Sequence, residues 1–456
     1  METAALIVVL VIELALFFDF TNGFHDTANA MATPIATGAL KPKVAVMLAA
    51  SLNLVGAFLS TEVSKTISHG IIREDQITPI DFLPIIFAGL IGAIVWNMLT
   101  WLLGLPSSSS HALFGGLIGA TLVGASAQAI DFGMVLSKVV LPALIAPFTA
   151  GVIAFLATRL AYAITRRYDN KPDGRDGFRW GQIFTSSLVA LAHGTNDAQK
   201  TMGVITLALI MVGWQDASHA DPQTWVIFAC AFTIALGTYM GGWRIIRTLG
   251  KGLTDVKPAQ GFSAETSTAA TILASSALGF ALSTTQVASG SVIGSGLGRR
   301  GSTVRWGTVG RIAVGWLLTL PASAAVGALA ALLVVWFGPW GILIDAVLAV
   351  IVIVGLFLRS RRDQVDAGNA MSEVADSGHA VKVPRKAPPT RRQRAIAREE
   401  ARLKAEAEAR AKAERKQQKA REKQQVKADA RRVADDRRGA ERSGSEHGSE
   451  GKGSQR

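Results

Sequence analysis

The chain is 456 residues long and 49% hydrophobic, with a formal net charge of +13. Residues 359–456 hold 27 Lys and Arg against 16 Asp and Glu, so this tail carries +11 and leaves +2 to the apolar remainder. The high isoelectric point therefore belongs to a tail and gives no ground for a nucleic-acid-binding core, while the single cysteine, Cys230, excludes an intramolecular disulfide and a cysteine metal cluster.

A bilayer span requires about 20 predominantly apolar residues. In chain order, residues 4–18, 44–59, 82–103, 135–164, 225–240, 309–335 and 340–358 meet or approach that length. Residues 112–125, 183–192, 204–212, 269–282 and 287–297 are apolar but short, Gly-rich or interrupted. So many runs define an integral membrane protein. The start, Met1-Glu2-Thr3, lacks the basic region of a cleavable signal, so the first segment is expected to be retained. In the tail, residues 398–438 are rich in Ala, Glu, Lys, Arg and Gln but have no apolar stripe. That composition predicts a solvated helix or a disordered segment, with anionic lipid headgroups or RNA as the sharper alternative.

Three pairs of segments recur in the same order. Gly23-Phe24-His25-Asp26-Thr27-Ala28-Asn29-Ala30-Met31 matches Gly194-Thr195-Asn196-Asp197-Ala198-Gln199-Lys200-Thr201-Met202, displaced by 171 positions (23 to 194). Residues 65–71 match 247–253, displaced by 182, and Ser108-Ser109-Ser110-His111 matches Ser283-Thr284-Thr285-Gln286, displaced by 175. Repetition at similar displacement indicates duplication. The halves meet at a basic loop with Arg166, Arg167, Lys171, Arg175 and Arg179, which the positive-inside rule places in the cytoplasm together with the basic tail. Inverted halves each cross the membrane an odd number of times, so an extra span is needed to bring the tail inside. Residues 340–358 have no counterpart and supply it, which leaves the N-terminus outside.

The expected fold is thus an all-α integral membrane protein of two inverted-topology repeats with broken or re-entrant helices, plus a basic cytoplasmic tail. Its expected divisions are a first repeat at 1–165, a cytoplasmic linker at 166–180, a second repeat at 181–338, an extra transmembrane helix at 339–358 and the tail at 359–456.

Ionisable groups within apolar segments are costly and mark paths or sites. Here they gather at the repeated motifs. Asp26 and Asp197 occupy equivalent positions, with Asn22, Asn29, Asn196 and Gln199 nearby to supply neutral oxygens. Carboxylate and amide oxygens suit Na⁺ or a transferable proton; an interfacial helix cap is the structural alternative. Gly23 and Gly194 allow close backbone approach or a helix break. Pro106 precedes Ser107-Ser108-Ser109-Ser110, and a helix starting there would offer free N–H groups and hydroxyls to an anion. Ser283, Thr284 and Thr285 stand at the equivalent place, with simple capping or close packing as the alternative. Lys200 replaces its partner Asn29 and either meets the anion or neutralises Asp197. His25 and His111 are candidate proton carriers, since imidazole titrates near neutral pH, and His193 reads as a core histidine. Glu13, Glu62, Lys65, Arg247 and Glu265 also lie in or beside apolar segments, and Asp19 stands near the first motif without a direction the sequence fixes.

These residues resemble a known family. The stretch 194–203 resembles the G-x-N-D-x-x-K signature of the inorganic phosphate transporter (PiT) family, and 25–30 its first-half copy. Pro106-Ser107-Ser108-Ser109-Ser110-His111 and Ser283-Thr284-Thr285 are similar to its two P-x-S-[ST]-[ST]-H stretches. The resemblance spans about residues 15–300. It implies secondary transport of phosphate driven by H⁺ or Na⁺, in some bacterial members as a neutral divalent-metal complex. Two positions depart from the pattern: His25 stands where asparagine is usual, and Gln286 where the second histidine is usual.

The expected function is a symporter in the plasma membrane that imports inorganic phosphate, with no catalytic residue, resident metal or cofactor. Asp26, Asp197, Asn29, Asn196 and Asn22 are assigned to the coupling ion, and Ser108, Ser109, Ser110, Ser283, Thr284, Thr285 and Lys200 to phosphate. Expected partners are phosphate, H⁺ or Na⁺ and membrane lipids, including anionic lipids at the tail, and a homo-oligomer is compatible with this reading. The rivals are a carrier of another oxyanion such as sulfate, a membrane-embedded hydrolase, and a non-transporting anchor for the tail.

Overall fold

Helices form the regular structure of the described residues, joined only by two isolated antiparallel bridges, Ile72–Ile130 and Thr254–Val304. The computed structural model describes residues 2–68, 72–73, 76–168 and 176–370, all within one compact unit, Met1–Val383. The expectation for the tail beyond residue 370, the unit Pro384–Arg456 included, falls outside the described residues, as does most of the basic linker.

The first half contains α1 (Glu2–Ala36), α2 (Pro42–Gly56), the short α3 (Glu62–Ser68), α4 (Pro79–Leu103), α5 (Ser109–Gly124), α6 (Phe132–Met134) and α7 (Leu141–Tyr168). A π-helical turn at Val135–Val140 joins α6 to α7. The second contains α8 (Asp176–Met211), α9 (Thr224–Met240), the short α10 (Trp243–Arg247), α11 (Pro258–Ala277), α12 (Thr284–Gly298), α13 (Trp306–Phe337) and α14 (Pro339–Ser360). Among the described residues, five stretches are long and apolar enough to cross a membrane: Ala5–Ala36, Asp81–Leu103, Phe132–Thr165, Trp306–Phe337 and Pro339–Asp363. A sixth is the pair Thr224–Met240 and Trp243–Gly252, bent by 58°.

Local chemistry sets the boundaries that matter for function. Thr78 caps α4, Pro79 supplies its first residue, and Gly104 ends it at a left-handed φ of 64°. Such a φ strains any residue with a Cβ, so glycine suits the reversal into α5. Ser108 and Ser283 cap α5 and α12 through hydroxyls that accept from the backbone N–H of His111 and Gln286, at 3.1 and 3.3 Å. Both short helices therefore begin inside the protein, at buried ends. By contrast, α1 and α8 run unbroken through the aspartate motifs, so the glycines there serve close approach and not a break.

The two halves interlock. α1 packs on α9 as α8 packs on α2, and α5 packs on α13 as α12 packs on α7. A Cβ on Gly23 would lie 2.3 Å from the Ile234 carbonyl oxygen, and one on Gly194 would lie 2.3 Å from that of Asn53. A Cβ on Gly237 would lie 2.1 Å from the Phe20 carbonyl oxygen, and one on Gly56 would lie 2.2 Å from that of Leu191. Each contact recurs with both partners moved by constant displacements, 171 for α1 to α8 (20 to 191) and 181 for α2 to α9 (56 to 237).

At one end of the bundle, α10 sits between the α4–α5 reversal and the chain that follows α14. Arg244 donates to the carbonyls of Leu102, Ser360 and Asp363, and Arg247 to those of Asn369 and Ala370. Thr248 donates to the Gly104 carbonyl at 2.7 Å.

Candidate functional site: a buried charged centre between the halves

The motifs on α1 and α8 meet the capped ends of α5 and α12 in one fully enclosed cluster. Asp26 and Asp197 are at most 1% exposed, and Lys200 is completely buried. Each carboxylate first uses its own half: Ser109 donates to Asp26 at 3.0 Å, and the equivalent Thr284 donates to Asp197 at 2.9 Å. The residues three positions further along reach across to the other half. Asn29 donates to Thr284 and Thr285 at 3.3 and 3.1 Å, and Lys200 donates to Ser110 at 2.6 Å. Thr285 also crosses, donating to Asp26 at 3.2 Å. The site is therefore one composite and not two separate ones.

Around Asp26, the His25 Nδ1 lies 2.5 Å from Oδ1, and the Nε2 of the same ring faces Ser107 and Thr100 at 3.3 and 3.4 Å. Around Asp197, Lys200 forms a close ion pair and also donates to the Leu282 carbonyl at 3.1 Å. His193 lies between the two carboxylates. Its Nε2 is 2.8 Å from Asp197 Oδ2 and 4.0 Å from Asp26 Oδ2. Asp26, His193 and Asp197 bring one donor atom each within 4.8 Å of one another, a set that suits a cation.

Charge counting sharpens this. Two carboxylates face one lysine, and Asp19 adds a third carboxylate through its contact with Thr201 on α8, at 3.0 Å. The cluster thus holds three carboxylates to one lysine. A buried excess of negative charge in a low dielectric demands a cation or proton. Several acceptors stand ready: Asp19 Oδ2, Asn22 Oδ1, Asn29 Oδ1 and Asn196 Oδ1 are buried without a donor among the described residues.

The remaining expected residues fall in three places. Ser108 and Ser283 are caps. Asn196 turns toward α11, donating to Ser276 at 2.9 Å and to the Phe280 carbonyl at 3.4 Å. His111 is buried in the first turn of α5, hydrogen-bonded to the backbone of Val139 rather than to the carboxylates. The residue that sequence reasoning underrated is His193. Its spacing of four from Asp197 on α8 was the available signal, because i and i+4 share a helix face. Asn53, from α2, faces the His193 Nδ1 at 3.2 Å and was not foreseen.

Helices of spanning length around a buried charged centre shared by two halves define a multi-pass membrane protein with an enclosed polar site. The model of the phosphate transporter family matches residues 22–327, and the chain belongs to that family. It is 55% identical over 365 residues to a Mycobacterium leprae protein described as a probable low-affinity inorganic phosphate transporter, covering 80% of this chain and 87% of that one. A Bacillus subtilis protein of the same description is 42% identical over 331 residues, covering 72% of this chain and 98% of that one. A solved structure described as the sodium-dependent phosphate transporter aligns with a TM-score of 0.64 at 24% identity, over 73% of this chain and 99% of that one. That likeness is one of fold. The protein is thus a multi-pass protein of the cell membrane and a transporter rather than an enzyme.

Proposed function

We propose that the chain imports inorganic phosphate by symport with H⁺ or Na⁺, using the composite centre as its single transport site. The observation that carries this reading is the shortage of positive charge where the hydroxyls of Ser109, Ser110, Thr284 and Thr285 converge. Phosphate meets two carboxylates there, so a cation or proton must bind first. The hydroxyls, now donating to the carboxylates, then turn to the anion, and Lys200 shifts from Asp197 toward it. Coupling follows because neither ligand is stable in the site alone. The exchanged packing of α1/α9 and α8/α2 supports two inverted-topology repeats that rock against each other to alternate access.

The test is phosphate uptake into proteoliposomes under separately imposed H⁺ and Na⁺ gradients, with excess sulfate as competitor. Uptake should require one gradient and resist sulfate. Uptake indifferent to both gradients overturns symport, and equal competition by sulfate overturns the substrate. Asp197→Asn should abolish uptake while membrane expression persists.

A second reading concerns the cargo. The Asp26, His193 and Asp197 donor set also suits a divalent cation, so phosphate would enter as a neutral metal complex. Loss of uptake on chelation, restored by a divalent ion, would favour it over the monovalent reading.

A further inference from the structure

A groove of about 610 Å³ opens on the outer surface between the end of α4 and the start of α13. Its walls are apolar, with Trp96, Leu105, Val314 and Leu318 prominent, and Val314 and Leu318 are half exposed. Its floor is shaped by missing side chains: a Cβ on Gly307 or Gly310 would meet nothing. One charged residue lines it, Arg311. Among the described residues no carboxylate lies within ion-pair distance of Arg311, and its Nε is buried without an acceptor. The Trp96 Nε1 in the same wall also lacks one.

We infer that this groove binds an anionic phospholipid, with the headgroup phosphate on Arg311 and an acyl chain along α4 and α13. Two buried donors without acceptors call for an oxygen-bearing ligand, and a membrane-facing apolar groove calls for a chain. The charge setting agrees. The same end of the bundle holds Arg244, bonded to the Ser360 carbonyl, and Arg305, bonded to the Lys251 carbonyl; Arg359 lies in the last turn of α14, and Arg361 and Arg362 follow it. Basic residues at span ends mark the cytoplasmic leaflet, where anionic lipids concentrate. A second groove of about 380 Å³, between α7 and α12, is lined by Leu144, Phe148, Val152 and other uncharged residues. It offers no such headgroup site.

Occupancy has a route to the centre. Thr100 and Leu105 line the groove, and the Thr100 Oγ1 lies 2.7 Å from Ser107 Oγ and 3.4 Å from His25 Nε2. A lipid seated there braces the reversal from which α5 starts, and so supports the hydroxyls that α5 presents.

Native mass spectrometry of protein extracted from mixed phosphatidylcholine and phosphatidylglycerol vesicles tests binding without reference to transport. The wild type should retain phosphatidylglycerol about tenfold more than Arg311→Gln does, the worth of one charge-assisted hydrogen bond. Arg311→Lys should keep part of the preference. Gly310→Leu, which extends into the groove from a position where an added Cβ meets no protein atom within 4 Å, should retain neither lipid there. Phosphate uptake by the wild type should rise when phosphatidylglycerol is added to phosphatidylcholine vesicles, and Arg311→Gln should keep its uptake in phosphatidylcholine but lose that rise. Equal retention by wild type and Arg311→Gln overturns the proposal. So does disulfide cross-linking of two copies through Leu318→Cys in the membrane, which would place a second protomer in the groove.

Discussion

Asp26 and Asp197 are joined by one hydroxyl: Thr284 Oγ1 lies 2.9 Å from Asp197 Oδ2 and 3.5 Å from Asp26 Oδ2. A hydroxyl has one proton to give, so it serves the two carboxylates alternately. Thr284→Val keeps the shape and removes the donor. Uptake should fall at least about tenfold, because a buried acceptor of charged type loses about 1.5–3 kcal/mol with its partner. Thr284→Ser should restore most of it. Initial rates at saturating and limiting phosphate check this.

Lys200 and Asp197 should behave as a unit. Lys200→Ala leaves a buried carboxylate without its strongest partner and should destabilise the protein by about 3–5 kcal/mol. Adding Asp197→Asn should recover most of that loss in a thermal unfolding assay, while uptake stays absent. A double variant whose loss equals the sum of the two single losses would show the pair to be energetically independent.

The close approach of α1 and α9 makes a packing prediction. Gly237→Ala would place a methyl 2.1 Å from the Phe20 carbonyl oxygen, contact with backbone that cannot swing aside. The cost should be about 1–3 kcal/mol. Gly56→Ala should cost a similar amount at the equivalent α2–α8 contact, whereas Gly310→Ala should be neutral in the same assay.

Glu265 on α11 is buried and accepts from Thr33, Gln182 and Thr185, the last two at 3.2 and 2.8 Å. No cation lies in ion-pair range among the described residues. Glu265→Leu would orphan three polar groups and cost about 1–3 kcal/mol or more. Glu265→Gln keeps acceptor and size and should stay within about 1 kcal/mol of wild type. If the glutamate carries a proton during turnover, Glu265→Gln should also flatten the pH profile of uptake.

The loop before α9 is tied to α3 by Lys65, 3.1 Å from Asp221 and 3.2 Å from Glu62. The Lys65 hydrogen bond, helped by that of Thr61, holds the Asp221 carboxyl below its ordinary value against the opposing effect of burial. The folded form thus favours the carboxylate. The contact contributes above the ordinary carboxylate range and is lost as pH falls through the lowered value. Exposure of both groups keeps the effect small. Protection factors in residues 212–223, with the intrinsic pH dependence of exchange divided out, should therefore fall only in acid, and at every pH in Asp221→Asn.

The sequence made some of this legible and hid the rest, for physical reasons. The aspartates, the hydroxyl runs and the lysine could be placed because charge in an apolar segment is rare and repetition marks equivalence. The caps Ser108 and Ser283 were read with their neighbours as anion contacts, since a serine run does not say which hydroxyl faces the backbone. His193 was read as core because its role depends on Asp26, which lies on another helix in the other half. Its equivalent by displacement is Asn22, not a histidine, so the repeat gave no help. Residues 20–36 and 176–195 are too polar to announce the continuous helices α1 and α8. Tertiary burial against α2, α9 and α11 stabilises them where their own hydropathy does not.

Arg244 and Arg247 grip the segment after α14 by its carbonyl oxygens at positions 360, 363, 369 and 370. Every residue type carries that oxygen, so this hold works as a ruler and not as a lock. Side chains in 361–365 can change with little effect on it, while Asp366 and Asn369 shape the turn at 366–370 through their own side-chain hydrogen bonds. Insertion or loss of a single residue there would move every grip point at once, so selection at this junction acts on length.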